Sequence, residues 1–172
     1  MIASQHRYSH HALRALSHAA TLAEGFQHPY QDTGHLLLGI VLAAGSVGTQ
    51  ALEDVHFDPT VAGVYLKNLI PRVDMTAHPP RSEALEKSLE DSILEANWLT
   101  SPYVGTEHLL LGLLAQQTSM GAKLLEGAGI TIDKARIALN LTPKTLVINM
   151  GAKGYSETAK QTLKMGYHVA QD

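Results

Sequence analysis

The chain contains an internal repeat with an offset of 73 residues. Residues 33–39 read TGHLLLG and align without a gap on residues 106–112, which read TEHLLLG. When 9–68 is aligned on 82–141, 17 of the 60 pairs are identical. A match of this quality indicates a tandem duplication, so the two halves are expected to share one fold.

Each repeat predicts four helices. Ser9 and Ser82 each precede apolar residues at helical spacing, and each is a predicted N-cap, because a serine hydroxyl can accept a hydrogen bond from a first-turn amide. The second helix begins after Thr33 or Thr106, and because it is apolar on nearly every side it is predicted to be buried. The remaining helices are predicted at about 46–55, from Asp58-Pro59, at about 119–128 and from Thr131.

The predicted fold class is therefore all-α, with two tandem pseudo-twofold four-helix repeats and a C-terminal helix. Repeat one covers about 9–70 and repeat two about 82–142, joined by a proline-containing linker at 71–80. Strand-like alternation is confined to the short run 145–149. The double repeat is expected to occupy 1–143, followed by an extension at 144–172.

Composition excludes several classes of function. The chain has no cysteine, so disulfides, thiolate nucleophiles and cysteine-bound zinc are ruled out. Its net charge of -3 without basic runs argues against a nucleic-acid partner. No stretch approaches the roughly 20 apolar residues that cross a bilayer, and the first residues lack the apolar core of a secretory signal. A soluble protein is expected, either of a reducing compartment or without a compartment preference.

Residues 105–113, GTEHLLLGL, followed by Ser119, Gly121 and Leu125, resemble the repeated motif of the Clp-N domain. This double motif opens the Clp/Hsp100 AAA+ unfoldases of the ClpA, ClpB and ClpC type. The resemblance covers roughly 8–142. The first copy, DTGHLLLGI, departs from the motif at Asp32 and Gly34.

The resemblance implies a non-catalytic protein-binding module that docks adaptors, substrates or degradation-tagged proteins, in some relatives through phosphoarginine. The alternative is a stand-alone accessory subunit that binds a Clp protease core or ATPase and tunes its assembly. No GxxxxGK[ST] loop is present, so these residues form no Walker A phosphate cradle and neither an enzyme nor a cofactor is expected. The expected location is the cytoplasm, or the plastid stroma if the chain comes from a plant.

Five residues are candidates for ligand or partner binding by this resemblance: Glu107, Thr106, Thr33, Ser9 and Ser82. In the family, an acid at the position of Glu107 can pair with the guanidinium group of a modified arginine. The alternative is that Glu107 only complements the dipole of its helix. Because Gly34 has no side chain, the matching site in repeat one is expected to be missing or altered, which leaves at most one phosphoarginine site.

Other residues of the motif have structural interpretations. His35 and His108 are expected to hydrogen-bond a carbonyl of the preceding loop, because buried polar groups usually find a partner. Four glycines are expected to permit close helix packing: Gly39, Gly112, Gly48 and Gly121.

Aromatic residues and histidines outside the motif carry less specific signals. Phe26, Trp98 and Leu99 are interpreted as core or inter-repeat residues, with partner binding as the alternative for Trp98. His6, His10 and His11 form a cluster with adventitious metal affinity rather than a metal site, so a His-dependent metalloprotein is the least favoured hypothesis.

The tail carries a further helical stripe at Ala159, Leu163, Tyr167 and Ala170, preceded by Ser156. Residues 156–170 are therefore predicted to form a helix that docks on its own double repeat, giving a monomer, or on a neighbouring chain, giving a weak dimer. The stripe is equally consistent with the opening of another repeat and with a simple amphipathic helix.

Overall fold

The computed structural model describes residues 8–74 and 78–139, which fold into helices joined by short loops. Repeat one contains α1 (His10–Gly25), α2 (Thr33–Leu42), α3 (Val47–Asp54) and α4 (Pro59–Leu69). Repeat two contains α5 (Glu83–Trp98), α6 (Thr106–Ala115), α7 (Met120–Gly127) and α8 (Ile132–Ala138). The all-α prediction with four helices per repeat is confirmed over these residues. The strand-like run 145–149 and the predicted helix 156–170 lie outside the described residues.

The helix starts follow the caps that the sequence indicates. The Ser9 hydroxyl accepts from the amide of Ala12 at 3.1 Å, and Ser82 caps α5 in the same way. Asp58 caps α4, whose first residue is a proline. The central helices include Thr33 and Thr106 rather than beginning after them, because the residue before each threonine occupies the N-cap position.

The central helices α2 and α6 hold the two repeats together. Helix α2 packs against α1, α3 and α4 of its own repeat and against α5, α6 and α7 of the other. Helix α6 has the equivalent set of neighbours: α5, α7 and α8 within its repeat, and α1, α2 and α3 across the interface. Their leucines are buried, as predicted, except Leu42 at the end of α2, so a single core crosses the repeat boundary.

A smaller apolar cluster lies beneath α4 in repeat one. It contains Leu38, Ala62, Leu66 and Ile70, and Phe26 packs against it. The side of α4 that faces this cluster is therefore fixed by the core, whereas its opposite side is not.

No single described helix is long and apolar enough to span a membrane. Helices α2 and α3 meet that criterion of length and composition only when taken together, and they are bent by 95° relative to each other.

A candidate binding site at paired helix N-termini

Short backbone contacts bring the N-termini of helices from different repeats together in pairs. The amide of Ser9 donates to the carbonyl oxygen of Val104 at 2.9 Å, which places the start of α1 beside the start of α6. The amide of Ser82 donates to the carbonyl oxygen of Gln31 at 2.8 Å and places the start of α5 beside the start of α2. We refer to these pairs as the α1/α6 site and the α5/α2 site.

The signature threonines lie at these helix starts, but their hydroxyl groups point into the repeat interface. Thr106 Oγ1 accepts from the amide of Gly48 at 2.9 Å, and Thr33 Oγ1 accepts from the amide of Gly121 at 2.9 Å. Each threonine thus satisfies a first-turn amide of α3 or α7 in the opposite repeat. Both threonines are buried, so their hydroxyl groups serve the packing of the duplicated halves.

The glycines of the motif stand where backbones approach closely. A Cβ on Gly48 would lie 2.9 Å from the Thr106 carbonyl oxygen, and one on Gly121 would lie 2.9 Å from that of Thr33. A Cβ on Gly39 would collide with the backbone of α1, and one on Gly112 with the backbone of α5. These positions therefore carry glycine because a neighbouring main chain occupies the space of a side chain.

The α5/α2 site contains a carboxylate that is fully engaged. Asp32 is the N-cap of α2, and its Oδ1 accepts from the Thr33 hydroxyl at 2.8 Å and from the amide of Gly34 at 3.4 Å. Its Oδ2 accepts from the Ser82 hydroxyl at 3.2 Å. Hydrogen bonds therefore compensate this charge within the protein.

Although Gly34 has no side chain, the α5/α2 site still contains a carboxylate, that of Asp32. This site is therefore altered rather than missing. The Cα of Gly34 is buried, and a Cβ there would lie 2.7 Å from Cδ1 of Leu66 and 3.3 Å from Sδ of Met120. The acid that repeat two carries at this position would have to displace the side-chain ends of Leu66 and Met120 in repeat one. Asp32 supplies a carboxylate two residues earlier instead.

The α1/α6 site has the opposite arrangement. Gly105 is the N-cap of α6, and Glu107 folds back over it, so a Cβ on Gly105 would collide with the carboxylate. The Glu107 side chain is 17% exposed to solvent, and none of the described residues donates a hydrogen bond to it. Its Oε1 lies 3.6 Å from Nδ1 of His108, which accepts from the amide of Gly105 at 2.8 Å. Glu107 is thus a carboxylate at a helix start that a ligand can reach.

The two motif histidines, His35 and His108, are buried. The prediction that they bond to a carbonyl of the preceding loop is wrong, because each accepts a hydrogen bond from a backbone amide. Nδ1 of His35 accepts from the amide of Asp32 at 2.8 Å, as His108 does from Gly105. Each histidine reaches back from the third helical position to the N-cap amide, which has no partner in the helix. The histidines therefore stabilise the helix starts.

A second histidine completes the arrangement in repeat one, and the sequence interpretation missed it. With Nδ1 as acceptor, His35 carries its proton on Nε2 and donates to Nδ1 of His28 at 2.8 Å. His28 is buried as well, and its Nε2 has no partner among the described residues. The signal available in the sequence was only that His28 lies seven residues before His35.

Burial governs the titration of these histidines. Burial, reinforced by the neighbouring His28, lowers the pKa of His35 to about 4. Burial also lowers the pKa of His108, whereas Glu107 and Glu95 act in the opposite direction. At neutral pH both rings are therefore uncharged, and the Glu107–His108 contact is not an ion pair.

Two further sequence interpretations have different outcomes. Trp98 is the last residue of α5 and is half-exposed, with the Arg136 guanidinium 5.2 Å from its ring centre. Its interpretation as a core residue is therefore wrong, and the alternative of partner binding stays a prediction. The described residues contain no group of three metal-ligating side chains, and His6 of the N-terminal histidine cluster lies outside them.

Comparison with known proteins identifies the family. The family described as Clp repeat (R) N-terminal domain matches residues 7–92 and 80–172. The chain is 32% identical over 133 residues to a probable ATP-dependent Clp protease ATP-binding subunit of Chlamydia pneumoniae. It is 32% identical over 134 residues to the negative regulator of genetic competence ClpC/MecB of Bacillus subtilis. Each alignment covers 76% of this chain and 16% of the relative, so the chain spans less than a fifth of the length of either protein.

Solved structures show the same fold. The Hsp104 N-terminal domain from Candida albicans has a TM-score of 0.66 at 16% identity, covering 77% of this chain and 89% of that one. The ClpV N-domain from Vibrio cholerae has a TM-score of 0.64 at 19% identity, covering 78% and 86%. A ClpV N-domain in complex with a VipB peptide has a TM-score of 0.62 at 20% identity, covering 78% and 88%. By its repeated motif, its helices and the family match over both halves, this chain belongs to the Clp repeat N-terminal domain family.

Proposed function

We propose that this chain is a non-catalytic domain that captures adaptor or substrate proteins for a Clp-type machine, and that its α1/α6 site binds a phosphoarginine side chain. The family places the chain among the N-terminal domains of Clp ATPases. A peptide complex of a ClpV N-domain supports protein binding as the use of this fold. The observation that carries the phosphoarginine part is the unengaged Glu107 carboxylate beside the start of α1.

Phosphoarginine presents a cationic guanidinium group next to an anionic phosphoryl group. A carboxylate such as Glu107 pairs with the guanidinium, and bidentate geometry strengthens the pair. A helix N-terminus favours the phosphoryl group, because its first amides lack acceptors and its dipole is positive there. The amides of His10 and His11 open α1 and donate to no described residue, and the first turn of α1 carries no acid.

The α5/α2 site lacks both the unengaged carboxylate and the acid-free first helical turn of the α1/α6 site. Asp32 is already bound by Ser82, Thr33 and the Gly34 amide. The first turn of α5 carries Glu83 and Glu86, which repel a phosphoryl group. The chain should therefore bind one phosphoarginine, at the α1/α6 site.

Titration calorimetry of the full chain with free phosphoarginine tests this assignment. The expected result is one site, weakened at least tenfold in Glu107→Gln, with circular dichroism unchanged. Glu83→Gln is the matched control, because it removes an acid from the other pair of helix starts and should leave binding unaffected. Two equal sites, or full binding in Glu107→Gln, would contradict the proposal.

A further inference from the structure

We propose that this chain pairs with a second copy of itself by exchanging repeats, so that repeat two of each chain packs on repeat one of the other. The surface that repeat one offers to such a partner is the surface that its own repeat two already covers. The partner is therefore complementary to it without any new contact. Exchange of identical elements is a low-cost route to a dimer, and repeat proteins are prone to it.

The contacts between the two repeats are extensive and reciprocal. Helix α2 packs against α5, α6 and α7, and α6 packs against α1, α2 and α3. The Thr106 hydroxyl accepts from the amide of Gly48, and the Thr33 hydroxyl accepts from that of Gly121. Each of these contacts joins an element of one repeat to an element of the other, so it can form equally well between two chains.

The linker determines which copy of repeat two lies on repeat one. We refer to residues 71–78 as the hinge segment. The amide of Val73 donates to the carbonyl oxygen of Gln27 at 2.8 Å, and the amide of His78 donates to Oε1 of Glu24 at 2.9 Å. Both acceptors belong to repeat one, at the end of α1 and just after it. Breaking these bonds frees the hinge segment and leaves the contacts between the repeats unchanged.

The path of the hinge segment along repeat one carries backbone strain. His78 has a φ of 72°, which non-glycine residues rarely adopt. Gln27 and Thr100 also have positive φ, but they are equivalent positions of the two repeats. His56 likewise matches Gly129. His78 lies outside the aligned repeats, so the route of the hinge segment sets its conformation, and strain in a hinge favours exchange.

The hinge segment is long enough to join two double repeats. Its eight residues span up to about 26 Å when extended, which is more than twice the diameter of a helix. In the exchanged dimer each α1/α6 site takes α1 from one chain and Glu107 from the other. Two such sites bind a protein with two phosphoarginines more tightly than one site does. This consequence rests on the proposed function, whereas the exchange itself does not.

An engineered disulfide in the full chain distinguishes exchange from any other dimer. The chain has no cysteine, and Gln31 and Arg81 form a backbone bridge between the repeats, so Gln31→Cys/Arg81→Cys can form one disulfide there. The reduced protein is unfolded in urea, refolded at about 1 mM, near the effective concentration that a short linker provides, and then oxidised. Light scattering after size exclusion should show a dimer fraction, and its disulfides should join two chains on a non-reducing gel.

Matched variants test the role of the hinge segment. Glu24→Ala removes the acceptor of the His78 amide and the carboxylate that lies 3.1 Å from Nδ1 of His78. The dimer fraction should therefore rise about threefold after the same refolding. Asn97→Ala, at the equivalent position of α5, should leave the fraction unchanged.

Three results would overturn the proposal. They are a chain that stays monomeric through refolding at about 1 mM, dimers whose disulfides close within each chain, and equal dimer fractions in the two variants. None of these readouts uses phosphoarginine, so the exchange and the proposed function are tested separately.

Discussion

The α1/α6 and α5/α2 sites share one backbone plan and differ in where each places its acid. Repeat one has the acid at the N-cap and glycine two residues later, whereas repeat two has glycine at the N-cap and the acid two residues later. The threonine, histidine, leucines and second glycine are identical in both copies. Those identical residues form the same structural contacts in each repeat. The positions of the acid and the glycine, which are exchanged between the repeats, determine whether the carboxylate is engaged or accessible.

The shared part of the comparison predicts the largest effect. Leu37 and Leu110 are equivalent and buried in the common core, so Leu37→Ala and Leu110→Ala should each lower the free energy of unfolding by about 2–5 kcal/mol. Urea unfolding followed by circular dichroism measures both values. They should agree within about 1 kcal/mol because the two leucine side chains are equally buried.

Leu42→Ala is the control for this prediction. Leu42 lies in the same helix as Leu37 but is exposed, so the change should be within about 0.5 kcal/mol. The wild-type protein should unfold in one transition, because α2 and α6 pack against helices of both repeats. Two well-separated thermal transitions would show that the repeats are independent folding units.

Most of the fold could be predicted from the sequence, because its determinants are local or repeated. Ser9, Ser82 and Asp58 cap helices through bonds to residues two or three positions away, and the apolar pattern marks α2 and α6 as central. Because the chain is duplicated, similar helix caps and apolar patterns occur in both repeats and support each other.

The organisation of the candidate site could not be predicted, because it depends on contacts between distant segments. Thr33 bonds to an amide 88 residues away, and the engagement of Asp32 requires Ser82, 50 residues away. The exchange of acid and glycine between the two motif copies was visible as two departures from the motif. Its meaning required knowing that both carboxylates lie at paired helix starts. The residue type of Trp98 predicts a core or inter-repeat position or partner binding, but its exposure depends on how α5 packs.

The histidines extend the comparison to pH. An unfolded histidine titrates near 6.5, whereas the pKa of folded His35 is about 4. Between these values the unfolded chain binds a proton that the folded chain does not, so stability should fall as the pH drops from 6.5 to 4. The contribution of His35 to this loss is about 3 kcal/mol at pH 4.

Urea unfolding midpoints measured from pH 7 to pH 4.5 check this dependence. His35→Gln should flatten the slope more than His108→Gln, because Glu107 and Glu95 oppose the lowering of the His108 pKa. His35 also has the histidine partner that repeat two lacks, since Ser101 stands at the position equivalent to His28. An equal effect of the two substitutions would mean that the histidines do not distinguish the repeats.

The exchange of acid and glycine can itself be transplanted, and this change should have the smallest effect on stability. The double substitution Gly105→Asp/Glu107→Gly gives repeat two the arrangement of repeat one. An aspartate N-cap is better than glycine by a few tenths of a kcal/mol, while losing a first-turn acid and adding a helical glycine costs up to about 1 kcal/mol each. The net loss of unfolding free energy should therefore stay below about 2 kcal/mol.

The same substitution should nevertheless abolish phosphoarginine binding. The new carboxylate would bond to the first-turn hydroxyl and amide of α6, as Asp32 does in α2, and would no longer be available to a guanidinium group. The reverse exchange, Asp32→Gly/Gly34→Glu, should create no second site of equal strength. A side chain at position 34 has to displace the side-chain ends of Leu66 and Met120, and the first turn of α5 keeps Glu83 and Glu86. Calorimetric titration of both variants with phosphoarginine shows whether binding depends on the position of the acid or only on its presence. Retained binding in the first variant would mean that the accessible carboxylate of Glu107 is not what distinguishes the two pairs of helix starts.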